Sequence, residues 1–379
     1  MSELILANAR VVTRTEVLRG SIKVVEGRIV AIDVGAGVAP GAIDCDGDYV
    51  IPGLVELHTD VLERYAFPRP GVRWPETAAV IAYDAEIAAA GITTCFASLA
   101  LGYVVDTGRR PANPRALAEA VRGAQAAGLL RAQHLLHLRC EISTAHVVDD
   151  FASFADDPLV RLVSIMDHTP GQRQFVSLDK YREYYRGKYG LSEAEVEALI
   201  AQRQGEQARF ATPHRAAVVR ACHEQGWTLV SHDDATVAHV EEAAKAGTAI
   251  AEFPTTREAA KAARAYGLAV LAGAPNLVLG GSHSGNIAAA ELAAHGVLDI
   301  LSSDYVPAAL LHGAFLLHRR HGASLPDALA CVTVTPARRA GLDDRGEVAP
   351  GLRADLVRVH LADELPVVRR VWRAGQPVT

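Results

Sequence analysis

The sequence predicts an α/β protein: a (β/α)8 TIM-type barrel with a small β-sandwich domain built from both chain termini. Three observations carry that prediction. Eight short apolar stretches alternate with Ala-rich segments of helical spacing through the middle of the chain, the pattern of a closed parallel barrel. The two ends share a different pattern, short strands and Gly-centred turns, and are expected to pair with each other. The 379 residues, 50% of them hydrophobic, suffice for one barrel of about 250 residues and a smaller companion.

Taken in order, ELILANARVVT, SIKVVEGRIVAIDVG and the approach to VIPG read as strands, with Gly27 marking a hairpin. The barrel strands are then GLVELH, GITTCFASLA, HLLHLRCE, VRLVSIMDH, WTLVSHDD, TAIAEFP, LAVLAGAP and LDILSSD. Between them DAEIAAAG, PRALAEAVRGAQAAG, HRAAVVRACHEQG, HVEEAAKAG, TREAAKAARAYG and NIAAAELAAHG read as helices closing on Gly. After the fourth strand comes a long insert, YREYYRGKYGLSEAEVEALIAQRQGEQARF. Its second half reads as a helix capped by Ser192, and its aromatic-basic first half, 181–189, as the segment that covers a substrate. ADLVRVHL and PVVRRVWRAGQPV restore strand character at the far end. The expected division is residues 1–52 plus 346–379 for the small domain and 53–345 for the barrel.

Composition narrows the function classes. A formal net charge of −6 supplies no global basic field, so nucleic acid is not an expected partner and an anionic substrate needs a local cluster of Lys and Arg. Cys45, Cys95, Cys140, Cys222 and Cys331 are scattered without a C-x-x-C pair, which fits free thiols in a reducing compartment. MSELILANARVVT lacks the features of a leader, and no apolar run reaches the roughly 18 residues of a membrane span. The expectation is a cytoplasmic protein, without a membrane partner, that acts on a small molecule; a homo-oligomer is compatible with all of this.

A barrel of this kind carries its active site at the C-terminal ends of the strands. In chain order the polar residues there are His58 and Asp60, Arg139 and Glu141, Asp167 and His168, His232 with Asp233 and Asp234, Glu252, Asn276 and Asp304. So many carboxylates in one crevice repel unless a cation separates them. Imidazole and carboxylate without thiolate favour Zn, Mn or Fe over Ca, so the expected cofactor is a divalent metal, one or two ions. The expected metal-site residues are His58, Asp60, Glu141, His168, His232 and Asp304, with Glu141 a candidate bridge between two ions. Asp304 is the expected base; the competing reading makes it the N-cap of the following helix. His168 reads as a ligand, a proton donor or a substrate contact, and Glu252 as a group that orients a neighbour.

These features resemble the amidohydrolase superfamily, through the PG that opens strand 1, the terminal Asp of strand 8 and RGEVAPGLRADLV (345–357). Where most members carry His-x-His, this chain has His58-x-Asp60. ELHTD, PRPGVRWP, LHLRCE, MDHTPGQRQF, YREYYRGKYG, SHDDAT, AEFPTT, GAPN, GGSHSGN and LSSDY resemble, across essentially the whole chain, the PhnM-type family of α-D-ribose 1-methylphosphonate 5-triphosphate diphosphatases. That resemblance implies hydrolysis of the 5-triphosphate ester to the 5-phosphate and pyrophosphate, in phosphonate catabolism through the carbon–phosphorus lyase pathway. The substrate is then a phosphorylated sugar carrying several negative charges, and local cations answer it: Arg69, Arg73, Arg139, Arg173, Arg182, Arg186 and Lys188. Asn276, Ser282, His283 and Ser284 complete the expected substrate contacts, and His283 or His168 is placed to assist departure of pyrophosphate. Val61 and Ala97 stand where the resemblance leads one to expect polar groups. The competing functions are hydrolysis of an amide or cyclic amide (deacetylase- or lactamase-like), hydrolysis of a related phosphoester, and a non-catalytic metabolite-binding subunit.

Overall fold

The computed structural model describes residues 3–69, 71–102, 113–173, 178–282 and 286–379, with backbone alone for Tyr184, Lys188 and Tyr189. Eight parallel strands follow one another round the barrel in chain order: Leu54–Thr59, Ile92–Leu101, Gln133–Glu141, Val160–Met166, Thr228–His232, Ile250–Glu252, Ala269–Gly273 and Ile300–Ser302. They fall on the eight stretches expected from the sequence. The seam between the eighth strand and the first is closed differently at its two ends. Near the C-terminal end Thr59 and Asp304 form a parallel bridge, and Asp304 N–H donates to His58 O at 3.1 Å. Below them the peptides of Cys331 and Val332 fill the gap, accepting from Leu301 N–H and Val55 N–H.

Alternation along each strand sorts side chains into two cores. Leu136, Leu138 and Cys140 of the third strand, or Val163 and Ile165 of the fourth, face the helices and join the larger outer core. Leu135, Leu162, Val230, Ile250, Leu271 and Ile300 face the barrel axis and pack with Phe96, above a plug that includes Ala337 and Ala340. Two residues further along, these inward positions become polar: His137, Ser164, His232, Glu252 and Ser302. The barrel is thus apolar at its base and ionisable at its mouth. Two residues depart from this rhythm. Asp233 and Phe253 follow inward-facing residues and would face outward in an extended strand, but both adopt left-handed backbone, with φ 54° and 53°. Each still donates its N–H to the next strand, to Glu252 O and Leu271 O, both at 2.9 Å.

The chain ends form one mixed sheet, with both termini contributing strands. Leu356–Ala362 pairs antiparallel with Tyr49–Pro52, which pairs parallel with Glu3–Val12. Its opposite margins meet where Ala354 N–H donates to Gly27 O and Gly375 N–H donates to Ala354 O. A single curled sheet, rather than two separate ones, thereby encloses Leu6, Ile22, Ile29, Leu356 and Trp372.

The insert differs from its expected form. The two helices anticipated on either side of Pro213 are one helix, Glu193–Gln225, opened by a capping box of Ser192 and Glu195. Pro213 removes one internal hydrogen bond, but Ala211, Val218 and Cys222 on both sides of it are anchored in the outer core. The aromatic-basic segment is a helix, Leu178–Tyr189, and its described side chains do not line the barrel mouth. Tyr181 and Tyr185 stack with ring centroids 4.2 Å apart and pack on Val196 and Ile200, while Arg182 pairs with Asp179 and Glu197.

The Pro-Gly pair at 52–53 is the passage from the sheet into the barrel. A Cβ on Gly53 would lie 2.2 Å from Thr93 Oγ1, so the two chains approach as closely as they do only because no side chain intervenes. Gly53→Ala is expected to lower unfolding free energy by about 1–3 kcal/mol in denaturant melts. Combining it with Thr93→Gly should return part of that loss; a double variant no better than the single one would locate the cost elsewhere.

Candidate metal centre

At the C-terminal ends of the strands lies a cavity of about 420 Å3, lined by the polar His58, Asp60, Arg139, His168, His232, Asp233 and Asp304 and also by Phe253, Pro275, Asn276, Ser282 and Ile287. Hydrogen bonds to the far side of each imidazole fix how the rings present themselves. His58 Nδ1 and His232 Nδ1 each lie 2.6 Å from an oxygen of Glu252, and His168 Nδ1 lies 2.6 Å from Glu141 Oε2. A carboxylate only accepts, so all three Nδ1 atoms carry the proton and the Nε2 atoms are left for the cavity side. His168 Nε2 and His232 Nε2 each stand 3.5 Å from Asp233 Oδ2. These three residues offer ligand atoms all within 4.8 Å of one another. Imidazoles oriented from behind by carboxylates, around an acid, form the donor set of a transition-metal site.

The electrostatics lead to the same place. Burial alone would raise Glu252, but His58, His137 and His232 outweigh it and hold its pKa well below the carboxylate range. Burial likewise opposes ionisation of Glu141, and His168 overrides it, pulling Glu141 down to about 2. Burial disfavours a charge on His168, yet Glu141 and then Asp233 lift it to about 10. Without a metal, a proton on His168 Nε2 is therefore the cation that keeps Glu141 and Asp233 together. Asp304 is raised from its ordinary value, first by burial and also by Asp60 and Glu252.

Several expected residues meet here and others do not. His58, Asp60, His168, His232 and Asp304 line one cavity. Glu141 is absent from the cavity lining and stands behind His168, its oxygens accepting from His168 and Ser143. The helix after strand 8 begins at Ala309, with Ala308 at its N-cap, so Asp304 does not cap it. Of the expected cations, Arg139 is the single Lys or Arg lining the cavity among the described residues, and its Nε has no partner. Arg173 is buried against Asp234 and Glu242, Arg73 pairs with exposed geometry to Glu76, and Arg69 lies outside the lining. For these three the substrate contact is replaced by local ion pairing or distance. Asn276 and Ser282 line the cavity, with Asn276 Oδ1 also accepting from Ala289 N–H. His283, Ser284 and the Lys188 side chain lie outside the described residues. Val61 and Ala97 belong to the outer core, so neither changes the cavity wall.

From the sequence, Asp233 stands at a strand end but outside the expected metal set, and His137 is not singled out. Asp233 was one of three consecutive polar residues, and only its left-handed backbone separates it from Asp234, which is tied to Arg173 and Ser231. His137 looked like part of an apolar strand, LLHLR; it is 1% exposed, with Nδ1 2.9 Å from Leu57 O, and burial brings its pKa down to about 3. With His58 and Glu252 it forms a second group whose ligand atoms lie within 4.8 Å of one another.

A fold of this kind with carboxylate-oriented histidines at the strand ends defines a metal-dependent hydrolase class. The amidohydrolase family model matches residues 77–379, and the chain belongs to that family. It is 45% identical, over 99% of its length and 100% of the relative's, to alpha-D-ribose 1-methylphosphonate 5-triphosphate diphosphatase of Escherichia coli strain K12. Among solved structures it is similar to N-acetyl-D-glucosamine-6-phosphate deacetylase from Mycobacterium smegmatis, with TM-score 0.62 and 22% identity, covering 99% of this chain and 100% of the other. It is also similar to L-hydantoinase from Arthrobacter aurescens, with TM-score 0.57 and 14% identity, covering 100% and 96%. These two likenesses concern the fold.

Because His168 holds its second proton up to about pH 10 in the metal-free state, a divalent ion must displace it. Apparent metal affinity is expected to rise with pH between 6 and 9, by about tenfold per pH unit for one displaced proton. Calorimetry in buffers of different ionisation enthalpy reads the release directly; binding without proton release would contradict the assignment. Stability of the metal-free protein moves the opposite way: the His168 contribution is complete below about pH 6.5 and is lost as pH rises through about 10.

Proposed function

We propose that this chain hydrolyses α-D-ribose 1-methylphosphonate 5-triphosphate to the 5-phosphate and pyrophosphate, with one or two divalent ions, Zn, Mn or Fe, held at the barrel mouth. The observation that carries the reading is an acid-and-imidazole cluster sharing its cavity with Arg139, whose Nε has no hydrogen-bond partner. The 45% identical diphosphatase supports the choice of substrate.

His58, His168, His232, Asp60, Asp233 and Asp304 are the residues proposed to hold the metal. When bound, such an ion supplies Lewis acidity and lowers the pKa of a coordinated water. Asp304, raised by burial and neighbouring acids, is the better proton acceptor of the cluster for water attacking the phosphorus next to the ribose 5-oxygen. The P–O bond to the β-phosphate then breaks, and the solvent oxygen stays on the 5-phosphate. Arg139 meets the phosphoryl oxygens on which charge develops. Both nitrogens of His168 face carboxylates, Glu141 and Asp233, so it holds the site rather than protonating the leaving group. Asn276 and Ser282 face the sugar side of the cavity.

In oxygen-18 water, phosphorus NMR should place the label in the 5-phosphate of ribose 1-methylphosphonate 5-phosphate and not in pyrophosphate. Turnover of N-acyl or cyclic-amide substrates in place of the triphosphate ester would favour the amide-hydrolase chemistry instead. Asp304→Asn is expected to reduce turnover about 10²–10⁴-fold with the thermal midpoint retained. Arg139→Ala should cost about 10²–10³-fold with metal content unchanged. Near-normal rates in either variant would remove that residue from the mechanism.

A further inference from the structure

The residue after Glu252 poses a question of its own. Phe253 has φ 53°, a backbone conformation costly for a bulky side chain. A glycine would keep the Phe253 N–H bond to Leu271 O without that cost, so the sheet does not explain the phenylalanine. Burial explains it only in part: the ring is partly buried against the inner core, but it also lines the cavity. What the left-handed turn achieves is to place Glu252 and Phe253 on the same, inward side, where a regular strand would put them on opposite faces.

There the ring meets two imidazoles. Phe253 stands edge-on to His58, with centroids 5.0 Å apart at 80°, and to His232, at 5.6 Å and 90°. His58 and His232 are themselves nearly parallel, 6.0 Å apart at 20°. Glu252 holds each of these rings by one atom, Nδ1. One hydrogen bond leaves a ring free to rock about that contact, and the rocking moves Nε2, the atom presented to the cavity. Each ring has one perpendicular imidazole beside it, His137 at 5.4 Å from His58 and His168 at 5.5 Å from His232, and Phe253, perpendicular to both, restricts the pair together.

We propose that Phe253 is a positioning residue of the metal centre: its strained backbone turns the ring inward, where it locks the His58 and His232 imidazoles so that their Nε2 atoms share one target. This rests on the reading of the cavity as a metal site, and Glu252 and Phe253 then act as one clamp, polar on Nδ1 and apolar on the ring faces.

Three variants test it: Phe253→Gly, which relaxes the backbone and removes the ring; Phe253→Leu, which keeps the strain and much of the volume; and Phe253→Tyr, which keeps the ring. Chelator competition on metal-stripped protein is expected to show Zn2+ and Mn2+ affinity lowered about 10- to 100-fold in the Gly and Leu variants and within about threefold of the parent in the Tyr variant. The melting temperature of the metal-free Gly variant should not fall with it, which separates positioning from a structural role. If the Gly variant does not fold, the Leu and Tyr variants decide. Equal affinity in the Leu, Tyr and parent proteins overturns the proposal. Nitrogen-15 NMR of the metal-free imidazoles distinguishes its failure from that of the functional reading. Should the parent bind no divalent ion, the proposed function falls, while broader ring motion of His58 and His232 in the Leu variant alone would still support the clamp, and unchanged motion would overturn it.

Discussion

The Glu252 carboxylate, buried inside the barrel, is the constraint from which the rest of the site follows. An ion taken out of water is expensive, and it is tolerated only when each lone pair finds a donor. Glu252 finds two, on His58 from the first strand and His232 from the fifth, each 2.6 Å away. Those bonds set the imidazole tautomers, and the tautomers leave Nε2 for the cavity. Glu141 repeats the device for His168. Glu252, which the sequence reads as orienting a neighbour, and Glu141, which it reads as a ligand, both stand behind the imidazoles and aim them.

The seam of the barrel passes through the same atoms. Glu56, also buried, accepts from His58 N–H at 2.7 Å and Ser303 N–H at 2.6 Å, and thus ties the first strand to the eighth. Burial raises its pKa to about 7 against the pull of those donors. Asp304 N–H and His58 O complete the tie. The proposed base and the first proposed ligand are held in register by the bonds that close the barrel, so site geometry and closure are one requirement.

Much of this was legible in the sequence. Strand existence followed from apolar runs bounded by Gly, and the concentration of ionisable groups at strand ends followed from the architecture. The parts that were not legible share a cause: they depend on which partner a side chain finds at long range. Nothing local in MDHTPGQRQF reveals that Arg173 is claimed by Asp234 and Glu242, some sixty to seventy residues away. Arg139, by contrast, stays unpaired although its local context, LHLRCE, looks less exposed. Alternation also misleads wherever one residue turns left-handed, which is why Asp233 was passed over and Phe253 drew no notice. His137 was hidden because a lone imidazole in an apolar strand has no pattern to betray it.

The small sheet joins segments far apart in time as well as in sequence. Tyr49–Pro52 gains its antiparallel neighbour only when Leu356–Ala362 has been made. At roughly 5–20 residues per second, the first strands wait about 15–60 s during synthesis with one margin unpaired. Over that interval the nascent N-terminal β segment is an open template, exposed to chaperones and to its own copies on neighbouring ribosomes. Completion of the small sheet therefore waits for Leu356–Ala362, made only after every strand of the barrel.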